Sequence, residues 1–142
     1  MTMKEKFFPV DGSTAKLINS LLKQLSEKAK NRSKEELERV INQPNVGFAQ
    51  VFFSGFIVGI ASIHFKETLI RKTGVIEDVI VDNNFRGQGF GKKLMKILIK
   101  DAKKRGAECV ELTSNSKRKE ANAMYESMGF KKRETNCYRL EL

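Results

Sequence analysis

The sequence predicts a mixed α/β domain in which about four helices flank a central, mostly antiparallel sheet. Leucines recur at helical spacing near the N-terminus, whereas the segments beyond Pro44 are short and rich in residues that favour strands. Between Gly74 and Thr113 a strand, a long helix and a second strand follow one another. Strands joined through a helix run parallel, so one parallel pair is expected in the sheet.

The N-terminal third is predicted to hold a short strand and two helices. The strand, Lys4 to Val10, ends at the turn pair Asp11-Gly12. The first helix is expected to be capped by Ser13 or Thr14 and to run to about Lys28. Its apolar face consists of Leu17, Leu21, Leu22 and Leu25. The second helix opens with a capping-box sequence, Ser33-Lys34-Glu35-Glu36, and breaks before Pro44.

Three strands are predicted next, followed by alternating helices and strands. Val46 to Phe53 and Phe56 to Phe65 are expected to pair through a tight turn at Ser54-Gly55. Beyond them the predicted elements are a strand at Thr73 to Val81, a helix to about Arg105, a strand at Cys109 to Thr113, a helix at Glu120 to Met128, and final strands at Phe130 to Arg133 and Tyr138 to Leu142.

Size and composition are those of a globular protein with one domain, residues 1–142. The chain is 40% apolar and 31% charged, and its formal charge of +10 favours an anionic partner such as nucleic acid, an acidic membrane surface or a phosphorylated small molecule. No apolar run is long enough to span a membrane as a helix, and no secretory signal is recognisable. The two cysteines have neither redox nor metal-ligand spacing, so a reducing, cytoplasmic location without a bound metal is expected.

A glycine-rich turn, Arg86-Gly87-Gln88-Gly89-Phe90-Gly91, follows a predicted strand and opens a basic helix. Glycines let backbone amides approach an anion closely, and a helix N-terminus favours phosphate. Two common nucleotide motifs are excluded by the spacing. A P-loop would need glycine at Arg86 and serine or threonine at Lys93, and the dinucleotide fingerprint would need glycine at Lys92.

The segment R-G-Q-G-F-G resembles the acetyl-CoA pyrophosphate loop of the GNAT family of N-acetyltransferases, whose motif is Q/R-x-x-G-x-G/A. FFPVDGSTAKLINSLL is similar to that family's opening strand and first helix, and NAMYESMGF to its later helix. The resemblance covers nearly the whole chain. It implies a GNAT-type fold, with acetyl-CoA as cosubstrate. It also implies that the cofactor is bound by Val79, Ile80, Val81, Arg86, Gly87, Gln88, Gly89, Phe90, Gly91, Lys92, Asn115 and Asn122.

Acyl transfer to an amine requires a base, a polarised carbonyl and an acid for the departing thiolate. Glu77 and Asp78 are carboxylates in the middle of an otherwise apolar predicted strand. Glu77 is expected to act as base or to hold a water, and Asp78 to bind the substrate, although only one can face the site unless the strand is bulged. Tyr125 is expected to be the acid, with backbone amides near Val79 and Ile80 stabilising the oxyanion. Cys109 and His64 are interpreted as structural residues.

The acceptor is expected to be the primary amine of a small, anionic molecule. GVIEDVIVDNNFRGQGFGKKL is similar to a stretch of glucosamine 6-phosphate N-acetyltransferases, whereas ELTSNSKRKEANAMYESMGF is similar to aminoalkylphosphonate N-acetyltransferases. The basic groups Lys117 to Lys119 and Lys131 to Arg133 are candidates for binding the acceptor's oxyanion, and the first of them equally for the CoA 3′-phosphate. A protein or peptide lysine acetyltransferase, a CoA-binding protein without catalysis and a basic nucleic-acid-binding module remain as alternatives.

The C-terminal segment NCYRLEL is a candidate for adding a strand to a second copy of the chain, so a homodimer is considered.

Overall fold

A computed structural model describes residues 8–142, which form a four-stranded sheet between two helical layers. The strands lie side by side in chain order as β1 (Val46–Phe53), β2 (Phe56–Glu67), β3 (Lys72–Val81) and β4 (Cys109–Glu111). β2 is antiparallel to both of its neighbours, and β4 is parallel to β3. The predicted mixed, mostly antiparallel sheet with about four helices is therefore confirmed.

The four helices cover opposite faces of the sheet. α1 (Gly12–Leu25) and α2 (Lys34–Ile41) pack on one face, around Ile18, Leu37 and Ile60. α3 (Phe90–Lys104) and α4 (Lys119–Ser127) pack on the other, around Ile63, Leu94 and Leu98. No helix within residues 8–142 is long and apolar enough to cross a lipid bilayer.

The helix starts show how local sequence sets the element boundaries. Asp11, rather than Ser13 or Thr14, caps α1, because Asp11 Oδ1 accepts a hydrogen bond of 2.8 Å from the Thr14 amide. The predicted capping box of α2 is confirmed. Ser33 Oγ accepts from the Glu36 amide and Glu36 Oε2 accepts from the Ser33 amide, both at 3.1 Å. Such a cap stabilises a helix by about 1 kcal/mol.

The hairpin between β1 and β2 turns at Ser54 and Gly55, as predicted. Both residues have positive φ, 48° and 81°, which is the type I′ geometry that matches the twist of the flanking strands.

A buried ion pair attaches α3 to the start of β1. Asp101 is 2% exposed, and its Oδ1 accepts a 3.1 Å hydrogen bond from Arg105 Nε. The Arg105 guanidinium also donates to the carbonyl oxygens of Pro44 and Val46, at 3.0 and 3.2 Å, and lies over the Phe65 ring. Breaking such a pair costs roughly 3–5 kcal/mol, so it fixes the helix firmly against the sheet.

The two ends of the chain depart from the prediction. Most of the predicted first strand lies outside the described residues, and residues 8–10 form no strand. The predicted strands Phe130 to Arg133 and Tyr138 to Leu142 are wrong, since residues 130–142, here called the C-terminal tail, contain no strand. Strand propensity needs a partner edge to be realised, and the tail finds none within residues 8–142 of its own chain.

Candidate active site

The site is organised by the point at which β3 and β4 separate. β4 pairs with β3 only from Thr73 to Val75. The next six residues of β3, 76–81, have no strand on that side within the described chain. We call the space beside them the edge slot. Apart from the carbonyl oxygens of Glu77 and Val81, which accept side-chain hydrogen bonds, backbone groups on this edge can bind an extended ligand that itself carries amides.

A β-bulge lies in this part of β3. Ser62 of β2 pairs with Glu77, and Ile60 pairs with Ile80, so Asp78 and Val79 together oppose one residue of β2. Asp78 has φ of 54°, a left-handed conformation that is uncommon outside glycine. Such local strain is often found at functional sites.

The bulge puts both carboxylates on the α1/α2 face of the sheet. Asp78 lines a cavity on that face, together with Ser62. Glu77 is the cross-strand partner of Ser62 and therefore lies on the same face. Adjacent side chains of a regular strand point to opposite faces, but here the bulge places two adjacent side chains on the same face. This is the exception that the sequence allowed for a bulged strand.

The glycine-rich turn lies at the end of β3 and opens α3. Gly87 and Gly89 have positive φ, 75° and 84°, and nothing lies within 4 Å of the position that a Cβ would occupy on either. Gly89 is the N-cap and offers no side-chain hydrogen bond to the first helical amides. The 15-residue helix α3 thus presents unpaired amides and the positive end of its dipole to open space.

The remaining residues of this turn have different surroundings. Arg86 Nε donates to the Val81 carbonyl oxygen at 3.0 Å, which ties the turn to the strand. Gln88 and Lys92 are exposed, whereas the Phe90 ring packs against Phe85 and Phe53. Gly91 allows close packing, because a Cβ there would lie 3.3 Å from Met124 Sδ of α4.

Gln24 of α1 holds the chain that leads from β3 into the turn, a role that sequence reasoning missed. Its side-chain amide donates to Asp82 Oδ2 at 3.1 Å and accepts from the Asn83 amide at 2.9 Å. Asp82 in turn accepts from the Asn84 amide through Oδ1. A glutamine on a predicted helix face carries no signal for a contact with a residue 58 positions away.

A side-chain hydrogen bond joins α4 to the chain after β4. Asn122 Nδ2 donates to the Asn115 carbonyl oxygen at 3.0 Å, and Asn115 Oδ1 accepts from the Lys117 amide at 2.9 Å. These two predicted residues are therefore brought together, each holding the loop in shape. Ser114 Oγ, beside them, is buried without a hydrogen-bond partner in residues 8–142. A buried hydroxyl without a partner fits a site where a polar ligand completes the hydrogen bonding.

Tyr125 points from α4 into the core on the α3/α4 face. It is 6% exposed, and its ring packs edge-on against Phe130 with a centroid distance of 6.0 Å. Burial raises the pKa of the Tyr125 phenol above its ordinary value of 10.0, and the positive charge of Arg118 opposes that shift only in part. The phenol is therefore protonated, and able to donate, throughout the neutral range.

The cavity that Asp78 lines has a volume of about 250 Å³ and lies between α1, α2 and the sheet. Its other lining residues include Arg32 and Arg39, which sequence reasoning did not single out. The basic groups that it did single out, Lys117 to Lys119 and Lys131 to Arg133, do not line this cavity. Arg133 instead pairs with Glu111, at 3.1 Å.

The residues interpreted as structural lie in the sheet. Cys109 is the half-buried first residue of β4, and His64 of β2 has its Nε2 3.1 Å from Ser62 Oγ. Among residues 8–142, no group of three or more His, Cys, Asp or Glu is placed to hold a metal ion.

A glycine-rich turn thus opens a helix at the end of a strand whose edge is partly unpaired, and comparison with known families places this arrangement in a family. Residues 15–130 match the family described as Acetyltransferase (GNAT) family. The chain belongs to the GNAT acetyltransferase family. The matched segment includes the glycine-rich turn, both predicted carboxylates and Tyr125.

Two similar proteins carry names that include a substrate. The chain is 33% identical over 90 residues to an aminoalkylphosphonate N-acetyltransferase of Salmonella typhimurium, which covers 62% of this chain and 58% of that protein. It is 37% identical over 92 residues to a glucosamine 6-phosphate N-acetyltransferase of Trypanosoma brucei brucei, covering 63% of this chain and 60% of that one. The chain thus spans less than two thirds of the length of either relative.

Solved GNAT-like structures agree with the fold over nearly the whole chain. A crystal structure of a Trypanosoma brucei acetyltransferase is 30% identical, with a TM-score of 0.77, and the match covers 94% of this chain and 96% of that one. The structure of an Arabidopsis thaliana glucosamine-6-phosphate N-acetyltransferase is 25% identical, with a TM-score of 0.75, and the match covers 92% and 95%.

Proposed function

We propose that this chain is an acetyl-CoA-dependent N-acetyltransferase that acetylates the primary amine of a small molecule by direct transfer. One observation carries the proposal: the positive-φ glycines at the start of α3 lie at the end of β3, where its edge is unpaired. The start of α3, which is suited to binding phosphate, thus lies next to the unpaired edge of β3. Membership of the GNAT family supports the same reaction.

The turn is suited to the cofactor's pyrophosphate. Its backbone amides, from Gly87 to Lys92, can donate to phosphate oxygens because no side chain stands in front of Gly87 or Gly89. Exposed lysines of α3 add positive charge along the same helix, at Lys92, Lys93, Lys96, Lys100, Lys103 and Lys104. An anion at such a helix start is stabilised by roughly 0.3–1 kcal/mol from the dipole alone.

The edge slot is suited to the pantetheine arm. The backbone of Val79, Ile80 and Val81 would hydrogen-bond its amides as a neighbouring strand would. Asn115 and Asn122 would line the opposite side, and Ser114 Oγ would gain there the partner that it lacks. Acetyl-CoA, when bound, supplies the activated acyl group.

The side chains divide the proton transfers between the two faces of the sheet. Glu77 accepts a proton from the ammonium of the acceptor, directly or through a water molecule, and Asp78 holds that amine in place. Backbone amides near Val79 and Ile80 donate to the acyl oxygen while the amine nitrogen bonds to the carbonyl carbon. As the carbon–sulfur bond breaks, Tyr125 donates its proton to the sulfur. The phenolate is then reprotonated by the second proton that the amine nitrogen loses as the amide forms, directly or through water. The products are the N-acetylated amine and the free thiol.

For the acceptor we propose an amine that carries an oxyanion. The substrates in the names of the two relatives, an aminoalkylphosphonate and glucosamine 6-phosphate, share a phosphorus oxyanion as well as an amine. The net charge of +10 is compatible with such a ligand.

Residues 1–142 are proposed to form one domain, which acts in the cytoplasm and as a homodimer. The homodimer is supported by the C-terminal tail, in which Tyr138 and Leu140 are 89% and 83% exposed. Exposed alternate apolar residues on an extended segment are typical of a strand that pairs with another chain.

An amine panel with free-thiol release as the readout tests the reaction. We expect acetyl-CoA-dependent release with a phosphonate or phosphate amine, and less with polyamines or a lysine peptide. Acetyl-CoA binding is measured separately by titration calorimetry, beside a DNA duplex. Preference for the lysine peptide would favour a protein acetyltransferase. Tight DNA binding without acetyl-CoA binding would refute the enzyme proposal.

A further inference from the structure

The cavity between α1, α2 and the sheet has mainly apolar walls and charged residues toward its two ends. Its walls are mainly aliphatic and aromatic, and include Leu22, Leu37, Val40, Phe48 and Ile60. Val40 is 40% exposed, so part of this apolar surface reaches the protein's exterior. Burying apolar surface of a ligand there would be favourable by about 25 cal/mol per Å².

Both arginines of the cavity lining lie on its α2 side together with Glu36, and Asp78 lies on the far side. Arg32 lies just before α2 and Arg39 lies in its last turn, and α2 packs over β1 at the border of the sheet. Asp78 belongs to β3, two strands away across the sheet. Within residues 8–142 neither arginine side chain forms an ion pair or a hydrogen bond. The cavity therefore offers cations toward the α2 side and a carboxylate toward the edge slot.

This arrangement matches a ligand with opposite charges at its two ends. An ammonium group near Asp78 would lie beside the bulge of β3, where the proposed transfer takes place. A carboxylate, phosphonate or phosphate at the other end would meet the guanidinium groups, which bind such planar or tetrahedral oxyanions well. Glu36, also in the lining, lies between the two arginines in sequence and limits their combined charge to a single excess cation.

We infer that the acceptor is an amine whose amino group and oxyanion are separated by an apolar body, bound in this cavity with the oxyanion at Arg32 and Arg39. The inference rests on the proposed acetyl transfer, since it names the substrate of that reaction. It favours an aliphatic amino acid or aminoalkylphosphonate over a sugar phosphate. Sugar hydroxyl groups against Leu37, Phe48 and Ile60 would lose water without gaining hydrogen-bond partners, which is costly.

Direct binding of a matched ligand series tests the inference independently of turnover. The series contains aminoalkylphosphonates of increasing chain length, amino carboxylates of the same lengths, neutral alkylamines and glucosamine 6-phosphate. We expect affinity to rise with chain length in the first two sets and to be at least ~10-fold weaker for the neutral amines. Amide chemical-shift changes should be confined to α1, α2 and the strands facing them. The phosphonate and carboxylate sets distinguish the type of oxyanion.

Two substitutions and a control locate the oxyanion. Arg39→Gln and Arg32→Gln should each weaken binding of the anionic ligands by about tenfold and leave the neutral amines unchanged. Lys66→Gln makes the same charge change at an exposed position of β2 outside the cavity lining and should alter neither. Since both arginines lie at the cavity's mouth rather than in the core, the variants are expected to fold.

The outcomes separate this inference from the proposed function. The inference would be overturned by any of four results. Glucosamine 6-phosphate could bind most tightly, both arginine substitutions could leave binding unaffected, the chemical-shift changes could lie elsewhere in the protein, or no ligand could bind. Thiol release in any of those cases would leave the acetyltransferase proposal standing. Selective, arginine-dependent binding with no thiol release from any amine would instead support the cavity's ligand class and refute the reaction.

Discussion

Tyr125 is a buried phenol of α4 that packs in the core on the α3/α4 face of the sheet. If it is the acid for the departing thiolate, Tyr125→Phe should lower kcat by about 10²-fold, the lower end of the range for general acid catalysis. Acetyl-CoA affinity should change little, because the aromatic ring and its packing against Phe130 are retained. Free-thiol release gives kcat, and titration calorimetry gives the affinity.

The pH dependence of this variant provides a second measurement. An acid must be protonated to act, and burial raises the pKa of Tyr125 above 10.0. The rate ratio between the unmodified protein and the variant should therefore be constant across neutral pH and fall only as the pH rises above 10. Tyr138→Phe, at the chain's other tyrosine, is the matched control. Equal kcat in Tyr125→Phe and Tyr138→Phe would remove Tyr125 from the mechanism.

Glu77 and Asp78 are adjacent carboxylates on one face, and their proposed roles differ. Glu77→Gln should lower kcat by about 10²-fold, since a carboxamide cannot take the ammonium proton. Asp78→Asn should mainly raise the acceptor's KM, by roughly tenfold, because a charged hydrogen bond to the amine is lost. Asparagine also tolerates the left-handed conformation that position 78 requires. Steady-state kinetics with the best amine measures both, and the opposite pattern would exchange the two roles.

Individual residues were recognisable from the sequence when their type is unusual for their segment. Two carboxylates within an apolar strand are conspicuous by type, whereas Tyr125 and Asn122 were singled out through the resemblance of their segment to the family's later helix. Gln24, Arg32 and Arg39 escaped notice because their types are ordinary on or next to a helix surface. Gln24 contacts a distant segment, and the two arginines line a cavity that distant segments form together, which no local pattern records.

The two ends of α3 offer a comparison at the scale of the element. Gly89 and Gly106 have nearly the same positive φ, 84° and 74°, at the start and just past the end of this helix. Gly89→Val and Gly106→Val should each cost about 1–2 kcal/mol in the free energy of unfolding. Only Gly89→Val should weaken acetyl-CoA binding, since only that end faces the proposed pyrophosphate.

Urea unfolding measures the stability of these two variants, and titration calorimetry measures their affinity. Equal acetyl-CoA affinity in both would show that the glycine-rich turn is a connector without a role in binding. A loss of affinity in both would indicate that the position of α3, rather than the turn's amides, governs binding.

At the element scale, the sequence predicted best what depends on neighbouring residues. The capping box of α2 and the Ser54-Gly55 turn need only local geometry, and both are confirmed. The N-cap of α1 was misplaced by two or three residues, because Asp11, Ser13 and Thr14 are all good caps. From the sequence, a bulge in β3 was only the condition under which both carboxylates could share a face. A bulge depends on the register between β3 and β2, which the sequence of β3 alone does not contain.

For the whole molecule, the C-terminal tail bears on assembly. Leu140→Lys should shift the proposed homodimer toward monomer, because a buried strand residue of the interface would become charged. Leu69→Lys changes another exposed leucine, in the loop between β2 and β3, and should leave the mass unchanged. Sedimentation equilibrium measures the mass. A monomeric unmodified protein, or equal dimerisation in both variants, would contradict the role of the tail.

The fold class was predictable from the sequence because it depends on the order of helices and strands along the chain. A strand, a helix and a strand from Gly74 to Thr113 require a parallel pair, whatever their details. The tail was not predictable, since its alternating apolar pattern is that of a strand, yet it pairs with no strand within residues 8–142. An alternating apolar pattern shows that a segment can form a strand, but it does not show which other strand the segment pairs with.

The unpaired edge of β3 also has a consequence for colloidal stability. An open strand edge rich in Ile and Val is a template for association with other chains. The residues that interrupt it are Glu77 and Asp78, both exposed in the bulge. Like gatekeeper charges, they would discourage aggregation even in a molecule that never meets an amine. A bound pantetheine arm would cover the same edge, so the cosubstrate would act as a solubilising agent as well as an acyl donor.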